Sequence, residues 1–350
     1  MPIVHFLNVN SGDCSIIQHG SGRNTVIDVC NAKPLTSLEQ FYGVMQNSQA
    51  ALEKGVNGNF NQKKYPVNPI AYMKERGINK VWRFIATHPD MDHLDGIEAF
   101  FNAFAPDNFW DTDNNCEKEW GNGNNGGYSE ADWNFYKTLR DGKPTDNPKR
   151  LTLYAGNNGP FWNRDENGNA GADGITILAP TRELVTNGNA CEDYNDSSYV
   201  LLYQTQSGNR ILFAGDSHDA TWEHILKNHE SDVKDVDVLI APHHGRKSDR
   251  NWEFLDVVNP RLTFFGNASS EYLAYSAWKN RGLGYILNNQ AGSIILNAEV
   301  CPAEVYVTCE AYAKSLTTQA TFGATYKAYK IGTVKPKAMK AAAVPVYSKL

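Results

Sequence analysis

Three short apolar runs in this chain end in side chains that bind metals or move protons. Lys80–Ala86 runs into His88-Pro89-Asp90-Met91-Asp92-His93, Arg210–Phe213 into Gly215-Asp216, and Val236–Ile240 into Pro242-His243-His244-Gly245. The first run sets two imidazoles and two carboxylates within six residues, directly after a predicted strand. Imidazole and carboxylate oxygen suit Zn, Mn or Fe, and groups this dense on one turn can converge on two adjacent metals. A solvated acidic turn with two incidental histidines is the bland alternative. Gly-Asp ends many strands, so Asp216 gains weight only in company: its carboxylate can bridge two metals while the glycine lets the backbone come close. One of His243 and His244 can coordinate while the other orients a ligand or contacts substrate. Arg246, Lys247 and Ser248 follow at once, two cations and a hydroxyl that suit a phosphate; a solvated basic turn is the alternative for Arg246 and Lys247.

The rest of the chain reads as a frame for these runs. Ile3–Val9, Cys14–Gln18 and Asn24–Val29 are strand-like and separated by Ser11-Gly12-Asp13 and Ser21-Gly22, which predicts an antiparallel meander. Thr36 and Ser37 ahead of Glu39 and Gln40 form a capping-box pattern for a helix toward Lys54. Pro69 opens a short helix over Ile70–Arg76, and Leu94–Phe104 has helical apolar spacing. Residues 105–172 are rich in Asn and Gly but carry Trp110, Trp120, Trp133, Phe135, Tyr154, Phe161 and Trp162. Rings in such a stretch argue against simple disorder and suit either a lid or substrate-side insertion, able to stack on bases, or a structural excursion. Further strands are expected at Ile175–Leu178, Tyr199–Gln204 and Leu262–Phe265, helices at Ala220–Asn228, Asn251–Val257 and Tyr272–Arg281, and a hairpin-like end over Gly284–Leu296 and Glu304–Cys309. Strands grouped at both ends with helices between them suit an α/β fold, a two-sheet sandwich flanked by helices. We expect one domain over 1–330 and a basic, flexible tail over 331–350. His218, His224 and His229 are expected in surface or capping roles, and His5 and His19 in structural ones.

Length and charge narrow the function. The chain has 350 residues and a net charge of −6. Residues 327–350 hold six lysines and no acid, which leaves −12 on the body. An acidic body suits a site that collects metal ions and argues against indiscriminate coating of nucleic acid. The six cysteines form no C-x-x-C pair, no run is long enough for a membrane span, and no signal peptide is apparent, so a cytoplasmic protein with reduced thiols and no membrane partner is expected.

Taken in order, strand–HxDxDH, strand–GD and strand–PHHG resemble the metallo-β-lactamase superfamily, and in particular its ComEC-type branch. Phe6-Leu7-Asn8-Val9-Asn10-Ser11-Gly12-Asp13 is similar to that branch's F-L-D-V-G-Q-G-D opening, Val26-Ile27-Asp28 to its I-D strand end, and Asn195-Asp196-Ser197-Ser198-Tyr199-Val200-Leu201 to its N-x-x-S-x-V-L strand. The resemblance runs from about residue 3 to 296, apart from the insertion. It implies an αββα four-layer sandwich and two divalent metal ions, Zn or Mn. His88 and Asp90 would hold the first, Asp92, His93 and one of His243/His244 the second, with Asp216 bridging and Asp28 orienting the cluster. Two departures stand out. No histidine occurs between His93 and His218, so the usual third-motif ligand is missing; Asn195 or water would complete an oxygen-rich first site, which shifts preference from Zn toward Mn. The branch's later R-Y-G-H-P-like segment is replaced by Glu271–Trp278.

The activity this implies is hydrolysis through a metal-bridged hydroxide, with Asp92, Asp216, Lys247 and Ser248 as catalytic residues and Asn195 and Arg246 toward the ligands or substrate. A phosphodiester is the expected substrate class, making the chain a phosphodiesterase or nuclease on nucleic acid or a phosphorylated, nucleotide-derived small molecule. Two other readings fit the same residues: a lactone, thioester or lactam hydrolase on this scaffold, or a non-catalytic, metal-stabilised module with a protein partner in a multi-protein system such as one of defence.

Overall fold

The computed structural model describes residues 1–34, 58–121, 126–143 and 145–334. Ile3–Phe6 (β1), Ser15–Gln18 (β2) and Asn24–Ile27 (β3) form the antiparallel meander that the two tight turns demand. Arg83–Ile85 (β4) then adds parallel to β3, with Ile27 opposite Ile85. Asn108–Asp111 (β5) and Lys149–Thr152 (β6) extend that edge in parallel. A second sheet is built from Ile175–Ala179 (β7), Val200–Gln204 (β8), Arg210–Phe213 (β9), Val238–Ile240 (β10), Leu262–Phe265 (β11) and Tyr285–Leu287 (β12). Its β9 to β12 are parallel and its β7 to β9 antiparallel. The chain then returns to the first sheet through Ile294–Asn297 (β13), Ala303–Val307 (β14), Thr321–Gly323 (β15) and Ala328–Val334 (β16). The two sheet orders are β15-β16-β14-β13-β1-β2-β3-β4-β5-β6 and β12-β11-β10-β9-β8-β7.

Successive side chains point to opposite sheet faces, which sorts most apolar residues into three large cores. Val4, Phe6, Ile17, Ile27 and Ile85 of the first sheet meet Ile211, Phe213, Val238, Ile240 and Phe264 of the second. The opposite face of the first sheet, including Ile16, Val26 and Phe84, is covered by Pro69–Glu75 (α1), Ile97–Phe104 (α2) and Glu130–Arg140 (α3). The opposite face of the second, including Leu212 and Leu239, is covered by Asp219–Asn228 (α5), Phe254–Val258 (α6) and Tyr275–Lys279 (α7). A further helix, Arg182–Cys191 (α4), starts at Thr181, whose hydroxyl accepts from the Leu184 amide. Strands buried on both faces read as near-continuous apolar runs, and the four layers follow from covering both outer faces with helices. The fold is thus an αββα sandwich.

Several expectations change. Residues 105–172 hold β5, α3 and β6, so the Asn/Gly-rich stretch contains regular structure. Several of its rings serve the cores: Trp110 and Trp133 are fully buried, and Trp120, Phe135 and Trp162 are partly buried against the clusters. Gly284–Leu296 is not one arm of a hairpin; β12 and β13 lie in different sheets with the helical turn Asn288–Ala291 between them. The strand β16 continues to Val334, past the start of the expected tail. The expected helix from Thr36 to Lys54 and the segment 335–350 lie outside the described residues.

Candidate metal centre

The strand ends expected to carry ligands meet at one edge of the sandwich. Parallel pairing sets the ends of β3 and β4 side by side and those of β9 and β10 likewise. The Tyr199 amide donates to the Thr87 carbonyl, which ties the second sheet to the end of β4, and the His243 amide donates to the Gly215 carbonyl. Gly215 has φ 51°, and a Cβ there would lie 3.0 Å from Ser198 Cβ and 3.2 Å from Thr87 Cβ, so the approach of the sheets needs glycine. Gly12 does the same for the first turn: a Cβ on it would fall 1.6 Å from the Asp92 carbonyl oxygen.

These approaches bury His88, His93, Asp216 and His244 together. Each imidazole is held from behind. Asp28, at φ 58°, accepts from the Thr87 amide (2.7 Å), the Thr87 hydroxyl (2.7 Å) and His93 Nδ1 (2.8 Å). Because the Thr87 proton goes to Asp28, its oxygen accepts from His88 Nδ1 at 3.0 Å. Asp13 accepts from His244 Nδ1 at 2.9 Å. Carboxylates or their hydroxyl relay on Nδ1 leave the Nε2 lone pairs for a metal, the usual arrangement behind a ligating histidine. All three Nε2 atoms face Asp216, at 3.8 Å for His88, 3.3 Å for His93 and 3.8 Å for His244. His244 Nε2 also lies 3.2 Å from Asp92.

Two donor groups have the spacing of a cation site: His88, His93 and Asp216, and Asp92, His93 and His244. Asp13, Asp216 and His244 form a third overlapping set. The Nε2 atoms of His88 and His93 and Oδ1 of Asp216 are buried without a hydrogen-bond partner. Buried polar atoms are seldom left so, and a divalent cation would satisfy all three. The donors therefore fit the metal that the resemblance implies. Electrostatics agree. Burial alone would raise the Asp216 carboxyl, yet the charges of His93, His244 and His88 hold it well below the usual range. Burial opposes protonation of His244, but Asp13 and Asp216 raise it to about 10. Four carboxylates thus concentrate positive charge at this spot.

His243 is different. It belongs to none of these donor groups. Its Nδ1 is met by Arg250 Nη2 at 3.1 Å and by Ser248 Oγ at 3.0 Å. A guanidinium can only donate, so Nδ1 accepts and Nε2 carries the proton, 3.6 Å from Asp216. Burial, opposed by Asp216 and reinforced by His244 and Arg250, lowers His243 to about 4. Of the pair left open by the sequence, His244 has the ligand geometry. Ser248 sits behind His243 on its Nδ1 side. Lys247 donates to the Glu271 carbonyl at 2.9 Å. His243, Arg246, Lys247, Ser248 and Tyr272 line an open pocket of about 310 Å³ beside the cluster. Asn195 starts the single turn Asn195–Ser197, whose Asp196 caps α5 through the His218 and Thr221 amides.

Sequence reasoning passed over Asp13, Thr87, Lys118 and Arg250. Asp13 lies within the recognised opening, but nothing there announces that it reaches a histidine 231 residues away. Lys118 Nζ lies 3.1 Å from Asp90. His5 and His19 are structural: each is buried and hydrogen-bonded at both ring nitrogens.

No family model and no curated protein matches the chain. Solved structures similar to it include Igni18, a metallo hydrolase of Ignicoccus hospitalis, at 10% identity and TM-score 0.45, covering 84% of this chain and 98% of that one. A diphosphatase of the PhnP family matches at 12% identity and TM-score 0.42, covering 86% and 99%. The metallo-β-lactamase-fold protein YhfI of Bacillus subtilis matches at 10% and 0.38, covering 82% and 96%. No helix among the described residues is long and apolar enough to cross a membrane.

Proposed function

We propose that this chain is a metal-dependent hydrolase that cleaves phosphodiesters in nucleic acid or a nucleotide-derived substrate. The observation that carries it is the buried set of three imidazoles, each fixed through Nδ1 and turned by Nε2 toward Asp216. Asp92, His93 and His244 on one side, and His88, His93 and Asp216 on the other, would hold the metal. A divalent ion bound there, Zn or Mn, would supply Lewis acidity and a nucleophilic water at neutral pH. The chain's own groups do the rest. Asp28 and Asp13 keep the imidazoles in the ligating tautomer. His243, its Nε2 proton held in place by Arg250, donates a hydrogen bond toward an oxygen of the reacting group. Arg246 and Lys247 line the adjoining pocket and favour an anionic substrate. Tyr272, 60% exposed at that pocket, offers a flat ring to a base.

The test is a panel of bis-p-nitrophenyl phosphate, single- and double-stranded DNA, RNA and cyclic dinucleotides, with Mn²⁺ or Zn²⁺ added. Phosphodiester cleavage that disappears in Asp92→Ala is the expected result. Turnover of lactones or thioesters with no phosphodiester cleaved would overturn the substrate class.

A further inference from the structure

We propose that Arg246 is a specificity-determining residue that binds a phosphate flanking the one cleaved, so that the substrate carries two neighbouring phosphates. This rests on the phosphodiester reading above and deepens it.

Three cations follow the histidine pair, and their donors are used differently. Arg250 is buried, with its Nη atoms on the carbonyls of Asp216 and Ser217 and on His243. Lys247 gives its ammonium to the Glu271 carbonyl at 2.9 Å. Arg246 is half-buried, and among the described residues its guanidinium enters no hydrogen bond or ion pair; its Nε is fully enclosed without a partner. Buried donors are seldom left so, and the planar fork of a guanidinium matches two oxygens of one phosphate.

The carboxylates of the centre do not claim Arg246. Asp28 and Asp216 pair with His93, and Asp13 and Asp92 with His244. The guanidinium instead lines the pocket of about 310 Å³, which His243 joins to the cluster through an Nε2 3.6 Å from Asp216. A phosphate on Arg246 therefore lies beside the reacting group that His243 and the metal donors serve. The volume is at the lower end for small-molecule sites and suits one nucleotide unit, its phosphate on Arg246 and its base against Tyr272.

The backbone fixes this wall. Gly245 has φ 84°, and a Cβ on it would fall 2.0 Å from Phe265 Cδ1, so the chain is pressed onto that ring. The Ala274 amide donates to the Gly245 carbonyl at 2.9 Å, the Lys247 amide to the Tyr272 carbonyl at 2.7 Å, and Arg246 bridges to Leu273. The loop with Arg246 and the turn with Tyr272 are thus stapled together.

An uncleavable probe tests the assignment. The full chain in Mn²⁺ is titrated calorimetrically with dithymidine methylphosphonate, whose linkage is neutral, and with the same molecule carrying a 5′- or a 3′-phosphate. One phosphorylated form is expected to bind about 10- to 100-fold more tightly, the range for charge-assisted hydrogen bonds. Arg246→Met should erase that gain and Arg246→Lys should keep part of it; thermal melts establish that both variants fold. In turnover, Arg246→Met should cost a dithymidine phosphodiester with that terminal phosphate about 10-fold more in kcat/KM than it costs bis-p-nitrophenyl phosphate, which has no flanking phosphate. No gain in the wild-type chain, a gain that Arg246→Met retains, or equal losses on the two substrates would overturn the role of Arg246. A gain that depends on Arg246 with no phosphodiester cleaved sinks the proposed reaction instead, a different outcome.

Discussion

At the scale of single residues, the centre is decided by what stands behind each imidazole. His243 and His244 are adjacent, and both adopt left-handed backbone, φ 50° and 57°. Such strain clusters at functional sites and frees the pair from the period-two rule of a strand. One ring therefore turns to Asp13 and the other to Arg250. Asp13→Ala should lower metal affinity by about 10- to 100-fold, the usual cost of removing the carboxylate behind a ligating histidine. Competition against a chromophoric chelator measures it; unchanged affinity would mean that His244 is held without Asp13. His19 makes a separate point. Its Nδ1 donates to the Asp173 carbonyl and its Nε2 faces the Thr25 hydroxyl. Burial depresses it from 6.5 to about 3. Its folded-state pKa lies below the unfolded value, so the stability it confers is complete above pH 6.5 and is lost as pH falls from there toward 3. The loss runs at up to about 1.4 kcal/mol per pH unit. His19→Gln should remove that slope, and denaturant melts of metal-free protein at pH 7 and pH 4.5 should show the gap between the two proteins narrowing with acid.

At the scale of elements, the Asn/Gly-rich stretch is the informative case. The helix α3 has good signals: Ser129 accepts from the Ala131 amide, Glu130 and Asp132 lie in the first turn, and Trp133, Tyr136 and Leu139 share a buried face. Its Gly/Asn flanks hide it in composition. The strands β5 and β6 have four residues each; β5 becomes a strand because β4 offers an edge to pair with, and β6 because β5 then does. The loop beyond β6 is fastened to the sheet by Asp173, whose carboxylate takes Arg23 (2.9 Å), Arg83 (3.3 Å) and Ser21 (2.6 Å). Arg83 is buried, so Asp173→Ala strands a guanidinium inside the protein. We expect a loss of about 3–5 kcal/mol in denaturant unfolding, typical of breaking a buried pair by removing one partner. A loss below 1 kcal/mol would mean that water reaches Arg83.

At the scale of the whole molecule, three apolar cores and two sheets set the centre at an edge where loops from both halves converge. The candidate donors come from the ends of β4, β9 and β10 and from the turn after β1, with Asp28 at the end of β3 behind them, that is, from both sheets. Any change that loosens sheet-to-sheet contact should disturb the metal before it unfolds the chain. Tyr199 spans this contact, its amide on Thr87 and its hydroxyl on the Asp111 carbonyl.

The sequence alone determined the outline. Short apolar strands, tight turns and amphipathic helices pointed to two sheets with helices outside, and side chains of metal-binding type placed just past strand ends singled out the runs at 88–93, 216 and 243–244. These signals are local in the chain, and local periodicity reports them. What only the tertiary structure decided involves partners far apart in sequence. Asp13 with His244, Arg250 with His243, Lys118 with Asp90 and Asp173 with Arg83 are brought together by sheet packing, which no spacing of residues encodes. Tertiary contact also set rings of residues 105–172, Trp110 and Trp133 among them, into the cores.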